Sequence, residues 1–520
     1  MSLALPIGLL APVLLLAGSV VALFAPGRRP AVLPRLAEVL ALGALAIAVG
    51  NFAQLALAGP VEARVGSGLW LLAVRPDAIG ATMTLLVAFI GWVVVRYSRT
   101  YLDGEAREGA FHGLMLATLA GVLVLVQAAS LPTLVLSFVA VGFCLRQLLL
   151  FYPERAEARR AAAKFTLMWS AGDAALALAA VLLWWSTGVA DLASLGAAAS
   201  GGLTPAAHVA VALVVLAAAL KTATFPVHGW LTAVMEAPTP VSALLHAGII
   251  NAGGLLLIRL AELVQASPGA MAALVMLGGF TALFGASVML TQSAVKTSLA
   301  WSTVAQMGFM LLQCGLGLWP LALLHIVAHA LYKAHAFLAS GNAVEAVAAQ
   351  RRPGPVAAPG PGAVARAFLI ALALYGMVAG GFSWIVAPKS AQALALGAIL
   401  IFGVAYLVAQ GLADAAPKAL TKRTAAASVA ASVAYFSFHL AAFAAWGSSL
   451  PASPSPGPLE WALITLALLS FGLVAVAQTL FPLWAHHPAA VGLRVHLANG
   501  LYLNAALDRL IGGFRIAKPL

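Results

Sequence analysis

The chain has 520 residues, of which 63% are hydrophobic and only 8% charged, and its mean hydropathy is +1.01. Soluble domains carry about 25% charged residues, so a water-soluble protein of this length is excluded. The net charge of +12 would suggest nucleic acid in a soluble chain; here basic loops between membrane spans account for it, and no nucleic-acid partner is expected.

The apolar runs are about 20 residues long and do not alternate, which points to transmembrane helices and not to a β-barrel. In chain order the predicted spans are Leu3–Phe24, Pro34–Ala58, Pro76–Val95, Phe111–Ala129, Leu131–Tyr152 and Phe165–Trp185. Then come Ala206–Met235, Val241–Leu263, Met271–Thr291, Thr297–Leu318 and Pro320–Leu338. The last four are Ala363–Val386, Ala391–Gln410, Ala425–Trp446 and Leu459–Leu480. The first run lacks a basic leader and reads as an uncleaved span. Gln350–Gly362 is a Pro/Gly linker that should not be helical. The tail beyond Phe481 has leucines at helical spacing among Arg494, His496, Asp508 and Arg509, and reads as an amphipathic helix on the membrane or on a partner. Cys144 and Cys314 both fall in apolar runs and read as thiols without a disulfide framework or metal motif.

Loop charge alternates. One set of loops holds Arg28, Arg29, Arg99, Arg107, Arg155, Arg159, Arg160, Lys296, Arg351, Arg352, Lys418, Lys422 and Arg423; the other holds little beyond Arg64, Arg75 and Lys389. Basic loops stay in the cytoplasm. The expected topology therefore has a periplasmic N-terminus and a cytoplasmic C-terminus.

The segment Lys221–Asn251, KTATFPVHGWLTAVMEAPTPVSALLHAGIIN, breaks the apolar pattern. It sets Lys221, His228, His246 and Glu236 among apolar residues, with helix breaks at Pro226, Pro238 and Pro240. A charged group at mid-membrane costs at least about 2.5–3.5 kcal/mol, and irregular backbone is tolerated there only around a polar cavity or ion path. Lys221 follows a long apolar run and is placed near mid-membrane, where a desolvated amine can exchange its proton. His325, His329 and Lys333 recur every four residues and share one helix face. A proton-relay stripe fits them better than zinc, since no third ligand is evident. Asp173 and Glu236 are the candidates to pair with Lys221. Glu262 and Asp414 read as interfacial, and Arg146 should need an anionic or carbonyl partner. No nucleotide-binding, haem or iron–sulfur pattern is present. The chain itself is expected to be non-enzymatic, without cofactor or metal, and driven by an ion gradient or a partner.

KTATFPVHGWL (Lys221–Leu231), PTPVSALLHA (Pro238–Ala247), QSAVKTSLAWSTVAQMG (Gln292–Gly308) and HIVAHALYKAHAFLASG (His325–Gly341) resemble the proton-translocating antiporter-like subunits of respiratory complex I and of Mrp antiporters. The resemblance implies an all-α polytopic membrane protein of about 13–15 transmembrane helices, with two inverted five-helix repeats that contain broken helices. It implies N-terminal helices over 1–110, the first repeat over 111–264, the second over 265–446, and a last span with a cytoplasmic tail over 447–520. Lys221 would be the lysine of the first broken helix; Lys296, His325, His329 and Lys333 would lie on a central hydrophilic axis, with His246 on the same ion pathway. RYSRTYLDGE (Arg96–Glu105), MEAPTPVSALLHAGIIN (Met235–Asn251), LLQCGLG (Leu311–Gly317) and HLANGLYLNAALDRLIGG (His496–Gly513) look most like the DabB branch, membrane subunits of inorganic-carbon accumulation in the bacterial inner membrane. That implies a soluble DabA-like partner whose zinc site is like that of a β-carbonic anhydrase. The membrane subunit would pass H+ or Na+ down its gradient to drive one-way hydration of CO2 to bicarbonate. The alternative implied by the wider family is a proton-pumping subunit of a respiratory dehydrogenase or a cation/proton antiporter. Two positions depart from the family pattern. Phe138 and Val139 stand where it usually has Trp-Glu, and Trp384 follows Phe382-Ser383 where the second broken helix usually has lysine.

Overall fold

The structure is a computed structural model that describes residues 6–199, 201–342, 359–386, 388–411 and 418–510. It is all-helical apart from one small hairpin. The helices are α1 (Leu10–Ala22), α2 (Leu33–Ala58), α3 (Ala78–Tyr101), α4 (Glu108–Gln127), α5 (Leu131–Leu149), α6 (Ala156–Thr187), α7 (Leu192–Ala199) and α8 (Pro205–Lys221). Next come α9 (Gly229–Ala233), α10 (Thr239–Ala247), α11 (Ala252–Arg259), α12 (Ala261–Gln265), α13 (Pro268–Met289), α14 (Val295–Gly315) and α15 (Trp319–Leu338). Four further long helices follow, Pro361–Ile385, Ala391–Gly411, Lys418–Trp446 and Pro458–Thr479, and then the tail helices Pro488–Ala498 and Leu503–Leu510. Among the described residues 11 helices are long and apolar enough to cross a membrane, and three shorter apolar ones accompany them. The protein is a multi-pass membrane protein.

Local chemistry sets the helix starts. Asp77 accepts from Gly80 N at 2.7 Å to cap α3, and Thr204 accepts from Ala207 N at 3.2 Å to cap α8. Prolines open α8, α13, Pro361–Ile385 and Pro458–Thr479, where their missing N–H leaves no bond unmade. The same rule corrects the linker's end. Pro361 and Gly362 begin a helix instead of finishing a loop, and residues 350–358 lie outside the described set.

Contacts between loops define two ends of the bundle. At one end Arg29 pairs with Asp103 at 3.4 Å, the amides of Arg29 and Gly104 donate to Glu108, and Arg107 donates to the Leu150 carbonyl at 2.9 Å. At the other end the hairpin β1 (Ala63–Val65) and β2 (Leu72–Val74) pairs antiparallel, with Ala63 opposite Val74. There Ala73 N donates to Thr133 at 2.9 Å, and Ser130 donates to the Leu71 carbonyl at 2.6 Å. The charge asymmetry of the loops is therefore an asymmetry of the two ends. Three-residue strands carry too little alternation to show in the sequence.

The α10–α11 segment occupies the centre. In Thr239–Arg259 94% of the most apolar window is buried, against 11% in Pro458–Thr479. Around it α13 and α14 pack backbone to backbone. A Cβ on Gly278 would meet Leu312 N and Gly308 O, and one on Gly308 would meet Ala282 N. Small residues at such a seam let membrane helices approach closely. α14 is not among the strongly apolar helices. Of its polar residues, Lys296 bonds to Thr239 and Thr303 to His246 on α10, and Gln313 bonds to His325 on α15, while Gln306 is exposed.

Two predicted spans are interrupted. Ala206–Met235 divides into α8, a loop and α9, as its Pro226 implied. Val241–Leu263 divides at Gly248, where a short 3-10 turn over Ile249–Asn251 separates α10 from α11. Pro238 and Pro240 start α10, so the interruption within that span belongs to the glycine. At the expected second break, Phe382–Trp384 sits in the last turn of the uninterrupted helix Pro361–Ile385, and Trp384 is 89% exposed.

Candidate functional site

The site begins with the loop that ends α8. A helix C-terminus leaves carbonyls unpaired, and in hydrocarbon each must find a donor. The sequence supplies them. Thr222 N and Oγ1 both donate to Ala218 O at 2.9 and 2.8 Å, Thr224 N and Oγ1 both donate to Ala219 O at 3.2 and 3.1 Å, and Trp230 Nε1 donates to Leu220 O at 3.1 Å. Phe225 N donates outward to Thr281 Oγ1 at 3.2 Å. Ala223 takes a left-handed conformation, φ 52°, and the Phe225–Pro226 peptide is cis. The motif KTATFPVHGW is thus a self-capping break.

Lys221 is the last residue of α8 and is fully buried. Its Nζ lies 2.5 Å from Asp173 Oδ1 on α6. It also sits 4.1 Å from the centre of the Trp169 ring and 4.4 Å from that of Phe138, within cation–π range. Gly172 leaves room for the lysine chain, since a Cβ there would stand 3.3 Å from Lys221 Cγ and Cε. Trp169 is fixed in turn by donating to Phe138 O at 3.1 Å. A carboxylate, two aromatic faces and a helix C-terminus therefore converge on one ammonium.

A second group lies along α10, α14 and α15. His246 is fully buried, shares a hydrogen bond with Thr303 at 3.1 Å and stacks on Phe337 with ring centres 4.4 Å apart. Lys333 donates to Leu299 O at 3.0 Å, and Lys296 to Thr239 Oγ1 at 3.0 Å. His325 Nδ1 meets Gln313 Oε1 at 2.8 Å, and the His325 and His329 rings are 5.9 Å apart. Both ring nitrogens of His329, and Nε2 of His246 and His325, have no hydrogen-bond partner among the described residues. These groups have spare donors and acceptors inside a protein wall, which suits them to pass a proton or a hydrated cation.

The chain is 38% identical over 460 residues to the probable inorganic carbon transporter subunit DabB2 of Halothiobacillus neapolitanus, an alignment covering 85% of this chain and 81% of the relative. It belongs to the DabB family of inorganic carbon transporter subunits. The probable inorganic carbon transporter subunit DabB of Hydrogenovibrio crunogenus is 42% identical over 282 residues, about half of each chain (54% and 54%). Residues 128–353 match the family described as NADH:quinone oxidoreductase/Mrp antiporter, TM. The fold is shared with the Mrp complex from Dietzia sp. DQ12-45-1b, at a TM-score of 0.66 and 24% identity over 98% of this chain and 59% of that one.

In this DabB-family chain the structure brings Asp173, and not Glu236, to Lys221. Glu236 lies at the basic end, 4.0 Å from Arg155, with both side chains about half exposed (45% and 49%). Val139, at the expected glutamate position, is 46% exposed, while its neighbour Phe138 faces Lys221. Arg146, read as buried or interfacial, lies exposed in the last turn of α5. Cys314 is buried and Cys144 half-buried, both free. Glu262 lines a polar pocket at the hairpin end with Arg75, Asp77 and Arg259; Asp414 lies outside the described residues. Sequence reasoning missed the aromatic walls Phe138 and Trp169, because apolar residues in an apolar span carry no signal. It also missed Lys164 on α6, which meets Asp508 at 2.7 Å and Asn504 at 2.6 Å.

The self-capping break makes Trp230 a structural donor to Leu220 O. Trp230→Phe keeps an aromatic ring but removes the indole N–H and part of the buried bulk, and the unpaired carbonyl alone carries an expected loss of about 1–3 kcal/mol. A lowered Tm of the purified protein in detergent is the expected outcome; an unchanged Tm would show that the bond does not hold the break.

Proposed function

We propose that this chain is the ion-conducting membrane subunit of an inorganic-carbon accumulation complex. H+ or Na+ moves through it down its gradient and drives one-way CO2 hydration to bicarbonate by a DabA-like, zinc-containing, carbonic-anhydrase-like partner. The chain itself catalyses no covalent step in this reading. Its basic end faces the cytoplasm, on the positive-inside argument, so that bicarbonate forms where the partner docks and need not cross this subunit.

The observation that carries the reading is Lys221, a fully buried ammonium in contact with Asp173 at the C-terminus of a half-helix. Intramembrane ionisable residues of this kind mark ion pathways. The proposed path uses Lys221 and Asp173, then His246, Lys296, His325, His329 and Lys333 along the polar faces of α10, α14 and α15. Glu236 has no assigned step, given its position beside Arg155. The domain division into an N-terminal part (1–110), two antiporter-like repeats (111–264 and 265–446) and a tail part (447–520) belongs to the same proposal.

Lys221→Ala is expected to abolish carbon uptake in cells while expression and complex assembly stay normal. Asp173→Asn should lower uptake and move its pH optimum. Wild-type uptake in Lys221→Ala cells would overturn the path. Energy coupling is tested separately. A protonophore or sodium ionophore should stop bicarbonate accumulation with ATP clamped, and His329→Ala or Lys333→Ala should reproduce that loss without releasing the partner. Accumulation that persists after both gradients collapse would make this subunit an anchor only.

A further inference from the structure

His228 has no role in the path described above, yet aromatic rings enclose it beside the break. It follows Lys221 by seven residues, beyond the break, and is 1% exposed. Neither ring nitrogen has a hydrogen-bond partner among the described residues. Phe225, Phe284 and Trp301 surround it, with ring centres 6.2, 5.5 and 4.8 Å away. A buried polar group without a partner is costly, and a water, an ion or a transferred proton is what such a group can engage.

The floor of this aromatic box is not a membrane helix but the C-terminal tail. Between the tail helices the chain turns through three successive left-handed residues, Gly500 (φ 57°), Leu501 (φ 53°) and Tyr502 (φ 61°). For the two residues with a Cβ this conformation is unfavourable, so the turn is held by its surroundings. Gly500 presses against the Trp301 ring, and a Cβ on it would lie 3.8 Å from His228 Nε2. Asn504 rests on Gly229, and Gln292 donates to Ala498 O at 3.2 Å. The far end of the turn is tied down by Lys164, buried on α6, which meets Asn504 at 2.6 Å and Asp508 at 2.7 Å. Lys164 and Asp173 share α6, about 13–14 Å apart along its axis. The helix that holds the counter-ion of Lys221 therefore also holds the tail.

We propose that His228 is the exchange group at the inner mouth of the ion path, and that the tail turn Asn499–Asp508 is its gate, latched by Lys164 and Asp508. The cargo is a proton or a hydrated monovalent cation, handed between water at the basic end and the Lys221–Asp173 pair. This inference rests on the proposed ion path. With the latch closed the tail seals the box; with it released, water reaches His228.

The test uses the full-length chain in its native membranes, opened so that reagent reaches both faces. In a Cys144→Ser, Cys314→Ala background, the thiol of His228→Cys should react slowly with a membrane-impermeant maleimide. Adding Asp508→Ala should raise the rate at least ten-fold, and the charge swap Lys164→Asp with Asp508→Lys should restore the slow rate. Equal rates with and without the latch would overturn the gate. If His228→Cys fails to accumulate, Trp301→Cys on the opposite wall reports the same opening. A second arm asks whether the histidine carries ions. His228→Phe fills the box, and carbon uptake should fall at least ten-fold at equal protein level; wild-type uptake would overturn the exchange role. The labelling arm needs no carbon assay, so its result stands apart from the proposed substrate.

Discussion

An ammonium inside hydrocarbon needs several compensations at once, and the fold around Lys221 is arranged to supply them. The residue ends a half-helix, where the backbone's partial negative charge favours a cation. Asp173 supplies a full opposite charge at 2.5 Å, and Trp169 and Phe138 turn their faces to the same nitrogen. Each compensation imposes a further demand. The half-helix needs a break, the break needs Thr222, Thr224 and Trp230 to pair its carbonyls, the Trp169 wall needs Gly142, and the lysine chain needs Gly172. A buried ion pair is often no more stabilising than well-packed apolar residues of the same volume, although removing one partner alone is strongly destabilising. The arrangement is therefore understandable as a site kept for what the ammonium does, and not as a device for stability.

The same logic separates the interior helices from the peripheral ones. α10 and α11 are enclosed and can carry His246 and an interruption at Gly248, because neighbouring protein satisfies what the backbone leaves open. α14 can be polar for the same reason. Pro458–Thr479 faces outward and is almost uniformly apolar. Position relative to lipid, and not helix propensity, decides which sequences are admissible.

This explains how much was legible beforehand. Spans were readable because hydrocarbon thickness enforces length and polarity, and Pro226 marked the break because proline cannot continue a helix. Lys221 and the stripe His325, His329 and Lys333 stood out as polar residues in apolar runs. The interruption at Gly248 was hidden, since a glycine in a membrane helix is common and only its neighbours decide whether the helix bends. The choice between Asp173 and Glu236 was open because chain distance says nothing about which helices touch. The tail's return to Lys164 was invisible for the same reason: 340 residues of chain separate Lys164 from Asn504, and an amphipathic tail reads alike whether it lies on lipid or on protein.

Where the charges stop is as informative as where they sit. Among the described residues, the buried lysines are Lys164, Lys221 and Lys333, all between α6 and α15. Beyond Asn342 the described buried polar groups are Gln392, Thr424, Ser428, Ser432, His439 and Thr479, with no lysine or carboxylate among them. The stretch that matches the antiporter family, residues 128–353, covers that same interior. Phe382–Trp384 ends an unbroken helix, and Val139 is exposed on its outer side. In the proposed path the exchangeable groups are therefore concentrated between Lys221 and the α15 stripe, and the route is a single one built around the first broken helix.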